Sequence, residues 1–204
     1  MKRLFVPITI MLALAGCSDP PQPAAEKKKE PPKPVEPVTG RQAFHQMFAA
    51  ARGWASDIYG LQLKSIQLPE VKAEPGRAGA WQATFVSLSR ARSRTYTWSA
   101  IEAPGNLHKG VFAGMEESYA PHGQNKPFLV AALKVDTDEA YKAALKKSAE
   151  YVKKNPDMQI NFQLDLTSRF PNPCWRVIWG ESINTSNYSI LIDASTGEYQ
   201  QTLR

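Results

Sequence analysis

The sequence of this 204-residue chain lacks the motifs by which common catalytic sites are recognised. It contains no Gly-x-Ser-x-Gly nucleophile elbow, no glycine-rich loop that would cradle a phosphate and no dinucleotide-binding fingerprint. Histidine is rare, and the three histidines have neither metal-ligand spacing nor a neighbouring cysteine: His45, His108 and His122. We therefore expect a protein that is not an enzyme and that holds no cofactor and no metal ion.

A transmembrane segment and a strong net charge are also missing. The apolar stretch near the start, residues 4–15, is broken by Pro7 and is shorter than the roughly 20 residues that span a bilayer as a helix. The formal net charge is only +6, and two of the positive charges, Lys2 and Arg3, stand before that stretch. So mild a charge does not favour a nucleic-acid partner.

The start of the chain has the pattern of a leader segment, which directs a protein to export. The basic head and short apolar core of residues 1–15 are typical of a secretory signal peptide. The core runs into Leu14-Ala15-Gly16-Cys17, which resembles the lipobox of bacterial lipoproteins. In that family the signal is cut before the cysteine, the thiol takes up a diacylglycerol, and the new amine is acylated as well. The resemblance implies a signal peptide at residues 1–16 and a membrane anchor at Cys17; the alternative is an ordinary exported protein with a chance cysteine.

The residues after Cys17 indicate which membrane holds the anchor. By resemblance to enterobacterial lipoproteins, an aspartate directly after the cysteine favours the inner membrane. Here Ser18 precedes Asp19, so we expect the outer membrane, with the folded part facing the periplasm. Residues 18–39 contain seven prolines and no aromatic residue. Such a composition cannot form a core, so we interpret residues 17–39 as the lipidated cysteine and a proline-rich tether.

Acylation of Cys17 would leave Cys174 as the only thiol, so that no disulfide could form within the chain. The fold must then depend on an ordinary hydrophobic core. Cys174 stands next to Trp175 at the start of a predicted strand, and we expect a buried, inert thiol there rather than a reactive one.

The folded part contains an internal repeat. Residues 43–59 and 138–154 carry apolar side chains three and four positions apart, which predicts two amphipathic helices. Asp136 and Glu139 have capping-box spacing, so the second helix is expected to start there, and its lysine-rich opposite face is interpreted as solvated. After each helix the apolar period changes to two, which predicts three strands. These strands are residues 61–68, 80–89 and 94–103 in the first half and 158–166, 174–182 and 187–194 in the second.

The two halves correspond along their length, with Trp81 matching Trp175 as the second residue of a strand. We therefore predict an α+β fold of two tandem αβββ units, residues 40–117 and 128–204, in which each helix covers one face of an antiparallel sheet. In the first strand the alternation slips after Leu63, which predicts a β-bulge. The tryptophans are interpreted as packing residues, with sugar stacking as the alternative: Trp54, Trp81, Trp98, Trp175 and Trp179.

The second unit resembles a known family. The stretch "NYSILIDASTGEY", residues 187–199, is similar to the end of a PepSY-type domain, where a strand runs into an Asp-Ala-x-Thr-Gly-Glu turn. In such a turn Asp193 and Thr196 can bond backbone amides, and Gly197 tolerates a positive φ. The resemblance covers about residues 134–204, whereas the first unit lacks the Thr-Gly pair. It implies a PepSY- or cystatin-like fold and a small extracytoplasmic binding or regulatory module, in some cases linked to the control of peptidases.

Arginine alternates at Arg90, Arg92 and Arg94, which places three side chains on one face if the segment is extended. They fall between two predicted strands, so we expect a hairpin tip that is either solvated or in contact with a partner. The predicted function is a lipid-anchored envelope protein that binds or regulates another envelope protein without catalysis, with the arginines beside the partner. The alternatives are a structural component near the cell wall and an enzyme with a sheet-lined cavity.

Overall fold

The structure is a computed structural model that describes residues 36–72 and 74–204. The predicted signal peptide, Cys17 and most of the predicted tether lie outside the described residues. The described part contains two helices, ten strands and a short 3-10 turn at Val130–Ala132. In chain order the elements are β1 (Val38–Thr39), α1 (Gly40–Ala51), β2 (Ile58–Ile66), β3 (Arg77–Ala78), β4 (Ala80–Ser87), β5 (Arg92–Ser99), β6 (Gly110–Ser118), α2 (Thr137–Lys154), β7 (Ile160–Asp165), β8 (Cys174–Trp179), β9 (Tyr188–Asp193) and β10 (Tyr199–Leu203).

Eight of these strands form one antiparallel sheet in the order β10-β9-β8-β7-β2-β4-β5-β6, and β1 pairs separately with β3. The fold is therefore a mixture of helices and antiparallel sheet, as predicted. The two halves share this sheet, because β2 pairs with β7 at its centre, with Leu63 opposite Leu164. The likeness of either half to a PepSY domain stays a prediction.

Each half contributes four strands to the sheet, so the predicted count of three is wrong. The two additional strands, β6 and β10, lie at the two edges of the sheet. Their side chains are exposed or half-buried on both faces, and so they lack the apolar alternation that marks a half-buried strand. The folded part also begins before residue 40, because Val38 and Thr39, assigned above to the tether, are buried in β1.

Both helices cover the same face of the sheet. Helix α1 packs against β2, β4, β5 and β6, and α2 packs against β8 and β9. The ring of Phe44 in α1 lies 5.0 Å from that of Phe85, and the ring of Tyr141 in α2 lies 6.5 Å from that of Phe162. Strand register places Phe85 and Phe162 on one face, so the core is the layer between this face and the two helices.

The predicted bulge lies at a different place in β2. The pairing of β2 with β4 shifts register between Gly60 and Gln62, and it is regular after Leu63. The apolar alternation is interrupted there because Ser65 occupies a position on the helix-covered face. Its hydroxyl accepts a hydrogen bond from the Phe162 amide at 2.9 Å, so a polar residue ties β2 to β7 without an extra residue in the strand.

The N-termini of the two helices meet at a junction beneath two buried tryptophans. Thr39 and Asp136 are the N-cap residues, and the Thr39 hydroxyl donates to the Asp136 carboxylate at 2.7 Å. The indoles of Trp81 and Trp175 each donate to the carbonyl of the residue before one N-cap, at 3.1 and 2.9 Å. Gly40 is needed here because a Cβ atom would lie 2.7 Å from the Trp175 ring.

Asp136 joins the two helices as well as capping its own. The capping box predicted from Asp136 and Glu139 is confirmed, and the Asp136 carboxylate also accepts from the Thr39 hydroxyl and the Arg41 amide. We expect Asp136→Ala to lower the free energy of unfolding by about 2–3 kcal/mol, because several donors lose their acceptor at once. Urea unfolding measures this loss. The control Asp138→Ala, in the same helical turn, should cost less than about 1 kcal/mol, and equal losses would contradict the prediction.

Candidate functional site

Strand β6 forms one edge of the sheet, where no further strand of the described residues pairs with it. Three of its apolar side chains are exposed: Val111 by 36%, Phe112 by 43% and Met115 by 85%. They make up half of the exposed large apolar side chains of the described residues. Unpaired backbone groups beside exposed apolar side chains favour pairing with another chain, so β6 is the first candidate for a functional surface.

A bulge limits how much of this edge is regular. The pairing of β6 with β5 is regular from Gly110 to Ala113 and then shifts, which leaves Gly114 and Met115 as a bulge. Glycine is favoured in the bulge because a Cβ on Gly114 would lie 3.0 Å from the carbonyl oxygen of Thr95, which is a tight contact. Bulges bend a strand and interrupt its ladder of hydrogen bonds. An added strand would therefore pair with the segment 110–113.

The three arginines selected from the sequence lie beside β6. Arg90 is in the turn between β4 and β5, but Arg92 and Arg94 belong to β5, so the predicted hairpin tip is wrong for these two. The Arg92 guanidinium donates to the Ser118 hydroxyl at 3.1 Å, and Arg94 Nε donates to the Gly114 carbonyl at 2.7 Å. Both side chains thus extend over β6, the edge strand of the sheet.

The Glu116 carboxylate of β6 contacts two of the arginines and a tryptophan. The Trp54 indole donates to Glu116 Oε2 at 2.6 Å. The Arg90 guanidinium donates to the same oxygen at 3.1 Å, and Arg92 Nε lies 3.6 Å from the other oxygen. The pKa of Glu116 is lowered, first by the indole hydrogen bond and then by the guanidinium charges, which outweigh the opposing effect of burial. The sequence alone does not connect Glu116 with the arginines, because β6 lacks the apolar alternation that predicts a strand.

The arginines are only partly neutralised by this carboxylate. Glu117 lies opposite Ser93 and therefore on the other face of the sheet, so it does not add to the neutralisation by Glu116. The side chains of Arg90 and Arg92 remain 42% and 46% exposed. This edge therefore combines exposed apolar side chains with an excess of positive charge.

Asp57 holds the turn that carries Arg90. Its carboxylate accepts from the Ser87 hydroxyl at 2.5 Å and from the Ser89 amide at 2.8 Å. These bonds lower the pKa of Asp57 to about 2, so the carboxylate stays ionised at neutral pH. The Arg90 guanidinium also donates to the Trp54 carbonyl at 2.7 Å and lies 5.4 Å from the centre of that ring. The cation is therefore held in place before any partner arrives.

Cys174 is buried, as predicted, with 3% of its surface exposed. Its pKa is raised to about 12, because burial removes water from the thiolate and because the Asp193 and Asp165 carboxylates oppose a further negative charge. A thiol with so high a pKa has almost no thiolate at neutral pH. Cys174 is therefore a packing residue in the described fold.

The turn after β9 has the hydrogen bonds that its sequence predicts. Asp193 Oδ1 accepts from the Ser195 amide at 2.7 Å and from the Thr196 amide at 2.9 Å. Thr196 Oγ1 accepts from the Glu198 amide at 3.3 Å, and Gly197 has φ +80°. These residues direct the chain from β9 into β10, so they have a structural role.

The tryptophans and the possible ligands of metal ions were the other sequence features with a functional interpretation. Trp81, Trp98, Trp175 and Trp179 are buried, which leaves their faces unable to stack on a sugar. Within residues 36–72 and 74–204, no group of three His, Cys, Asp or Glu side chains is placed to hold a metal ion. In this part of the chain no helix is both long and apolar enough to cross a bilayer.

No protein-family model matches the chain, and no curated protein matches it. Among solved structures, the chain is similar to the crystal structure of a "putative lipoprotein" from Clostridium difficile 630. The two chains are 10% identical, the match covers 78% of this chain and 91% of the other, and the TM-score is 0.47.

Proposed function

We propose that the protein is a lipid-anchored component of the bacterial envelope, in the outer membrane and facing the periplasm, and that its folded part binds a partner protein without catalysis. The lipobox-like residues 14–17 support the anchor, and the proline-rich segment after them supports a tether. The observation that carries the binding role is the β6 edge, where Val111 is exposed on the face of the partly neutralised arginines and Phe112 is exposed on the other face.

The chemistry of this edge favours an extended, acidic segment as the part of the partner that binds. Such a segment can add a ninth strand along residues 110–113 through backbone hydrogen bonds, while Val111 and Phe112 contact its apolar side chains. The excess positive charge beside β6 would favour carboxylates on the arriving strand. The resemblance of residues 134–204 to PepSY domains further supports a regulatory role, in which the partner is a peptidase.

A photo-crosslinking residue at Phe112 tests the proposed edge. We expect it to capture a protein in envelope preparations, and mass spectrometry of the crosslinked peptide should identify an extended segment rich in Asp and Glu. A crosslinker at Tyr199, which is 41% exposed on the opposite edge strand, is the matched control and should not capture that segment. Capture of the same proteins from both edges, or capture of a basic segment at Phe112, would refute the proposal.

Two charge variants then separate binding from folding because their expected effects have opposite signs. Reversal of Arg90, Arg92 and Arg94 to glutamate should weaken capture at Phe112 by about tenfold, and more at low salt, because the acidic segment would meet negative charge. Glu116→Gln should strengthen capture, since it removes the carboxylate that neutralises the arginines. If the two variants weaken capture equally, the arginine cluster serves only to hold the fold together.

A further inference from the structure

A second cationic surface borders a groove at the opposite end of the sheet, and of its cations Lys146 belongs to the helix face that the sequence predicts to be solvated. The groove lies between α2 and strand β9, has a volume of about 500 Å³, and is lined by Lys146, Lys147 and Lys154 of the helix. Arg204, which follows β10, adds a fourth cation to the lining. The volume is in the range of grooves that bind small molecules.

The positive charge in this groove is not neutralised within the described residues. Among the lysines of α2, Lys142 forms an ion pair: its Nζ lies 3.8 Å from the Asp138 carboxylate. Lys142 is not part of the groove lining. Glu150 is the single carboxylate side chain in the lining of the groove. This contrasts with the arginines beside β6, two of which already share the Glu116 carboxylate. The groove therefore holds more positive charge than the Glu150 carboxylate can balance.

A pair of stacked tyrosines forms a firm floor for the groove. The rings of Tyr151 and Tyr188 lie 3.9 Å apart at an angle of 11°, and the Arg204 guanidinium lies 5.9 Å from the centre of the Tyr188 ring. Trp179, which is 1% exposed, packs edge-on against both tyrosines, and its indole N–H has no hydrogen-bond partner. Packing of this kind fixes the floor, so the cations border a preformed surface.

Helix capping does not explain this cluster. Cations in the last turn of a helix are favoured by the helix dipole, which accounts for Lys153 and Lys154. Lys146 and Lys147 lie two turns earlier, and Arg204 comes from another element. Their convergence on one groove, where like charges repel, makes the binding of an anion there electrostatically favourable.

We propose that this groove binds a ligand that carries phosphate, with at least two negative charges. Phosphate oxygens accept hydrogen bonds from several donors at once, which suits lysine ammonium groups and the guanidinium fork of Arg204. A single carboxylate would neutralise one cation and leave the others unpaired. The phosphate has two possible sources, a soluble phosphorylated compound and the headgroup of an anionic lipid. This site is separate from β6 and does not depend on the proposed function.

Inorganic pyrophosphate and lipid vesicles serve as the two probes. Binding of pyrophosphate is measured by calorimetry on the full chain carrying Cys17→Ser, so that no acyl chain contributes. Binding to vesicles is measured by co-sedimentation with phosphatidylglycerol vesicles. Neutral phosphatidylcholine vesicles are the control, because they show how much of the binding comes from the apolar leader alone. Pyrophosphate binding indicates a soluble ligand, and preference for phosphatidylglycerol without pyrophosphate binding indicates the headgroup. Absence of both overturns the proposal.

Charge reversal within one helix shows whether the groove is the site. Lys146→Glu with Lys147→Glu should weaken binding by about tenfold or more, as expected for the loss of hydrogen bonds to charged groups. Lys142→Glu with Lys153→Glu changes the net charge equally but alters no residue of the lining, so its effect should be about twofold. Equal weakening by both pairs would show that binding depends on the net charge of the helix and not on the groove, and would overturn the proposal. Crosslinking at Phe112 should be unchanged by either pair, which keeps this test separate from that of β6.

Discussion

A Trp175→Ala variant is expected to lose about 3–5 kcal/mol of unfolding free energy, which is a large part of the stability of an ordinary domain. Trp175 has no exposed surface, and its ring meets that of Trp81 edge-on at a centroid distance of 6.5 Å. The substitution opens a cavity where the N-termini of both helices meet. It also leaves the Val135 carbonyl without the indole donor that lies 2.9 Å away. Urea unfolding followed by far-UV circular dichroism measures the loss.

Two further variants test the cause of this loss. Trp175→Phe keeps most of the ring volume and removes the indole donor, so it should cost only about 1–2 kcal/mol. Trp54→Ala removes a half-buried indole outside the helix junction and should cost clearly less than Trp175→Ala. If alanine and phenylalanine at position 175 are equally destabilising, the buried volume is not what holds the junction.

Cys17→Ala is expected to abolish acylation completely and to leave the uncleaved precursor. The resemblance to the lipobox assigns the diacylglycerol to the Cys17 thiol, and in that family cleavage follows this modification. Alanine has no sulfur atom to accept the lipid, so the loss should be total rather than graded. Metabolic labelling with a palmitate analogue and the intact mass of the chain measure acylation and cleavage together.

Cys174→Ala provides the matched control, because it removes the other cysteine of the chain. Cys174 is buried and its thiol pKa is high, so this variant should be acylated and cleaved like the natural chain. A Cys17→Ala chain that is still labelled, or that is cut to the mature size, would exclude the lipoprotein assignment.

Strong local patterns predicted the central elements of the fold. Helix α2 begins at the capping box of Asp136 and Glu139, and β7 lies inside the alternating segment 158–166. In both, one side of the element is buried against the core, so burial imposes a period on the sequence. The edge strands β6 and β10 have no such constraint, since neither of their faces is deeply buried. For this reason local sequence patterns do not predict these two strands.

The candidate site was predicted only in part. Arg90, Arg92 and Arg94 are distinctive in the sequence because their charges alternate over a short stretch that helix capping does not explain. Their actual surroundings depend on two residues that are distant in the sequence: Glu116, which the pairing of β5 with β6 places beside them, and Trp54, which comes from the segment between α1 and β2. No local pattern encodes such a contact. The groove beside α2 was missed for the same reason, because Arg204 and Tyr188 reach it from other elements.

The sequence by itself determined the leader pattern, the class of fold, the start of α2 and the turn after β9. Each of these depends on residues within a few positions of one another, where capping, turn chemistry and apolar period act locally. Only the tertiary structure decided that the two halves share one sheet and that β6 is an open edge. The pairing of β2 with β7, which joins the halves, connects residues about 100 positions apart. The structure also decided which cations are neutralised, because the pairing of β5 with β6 brings Glu116 to Arg90 and Arg92. Such long-range pairing is set by the burial of whole faces, which no short segment of the chain specifies.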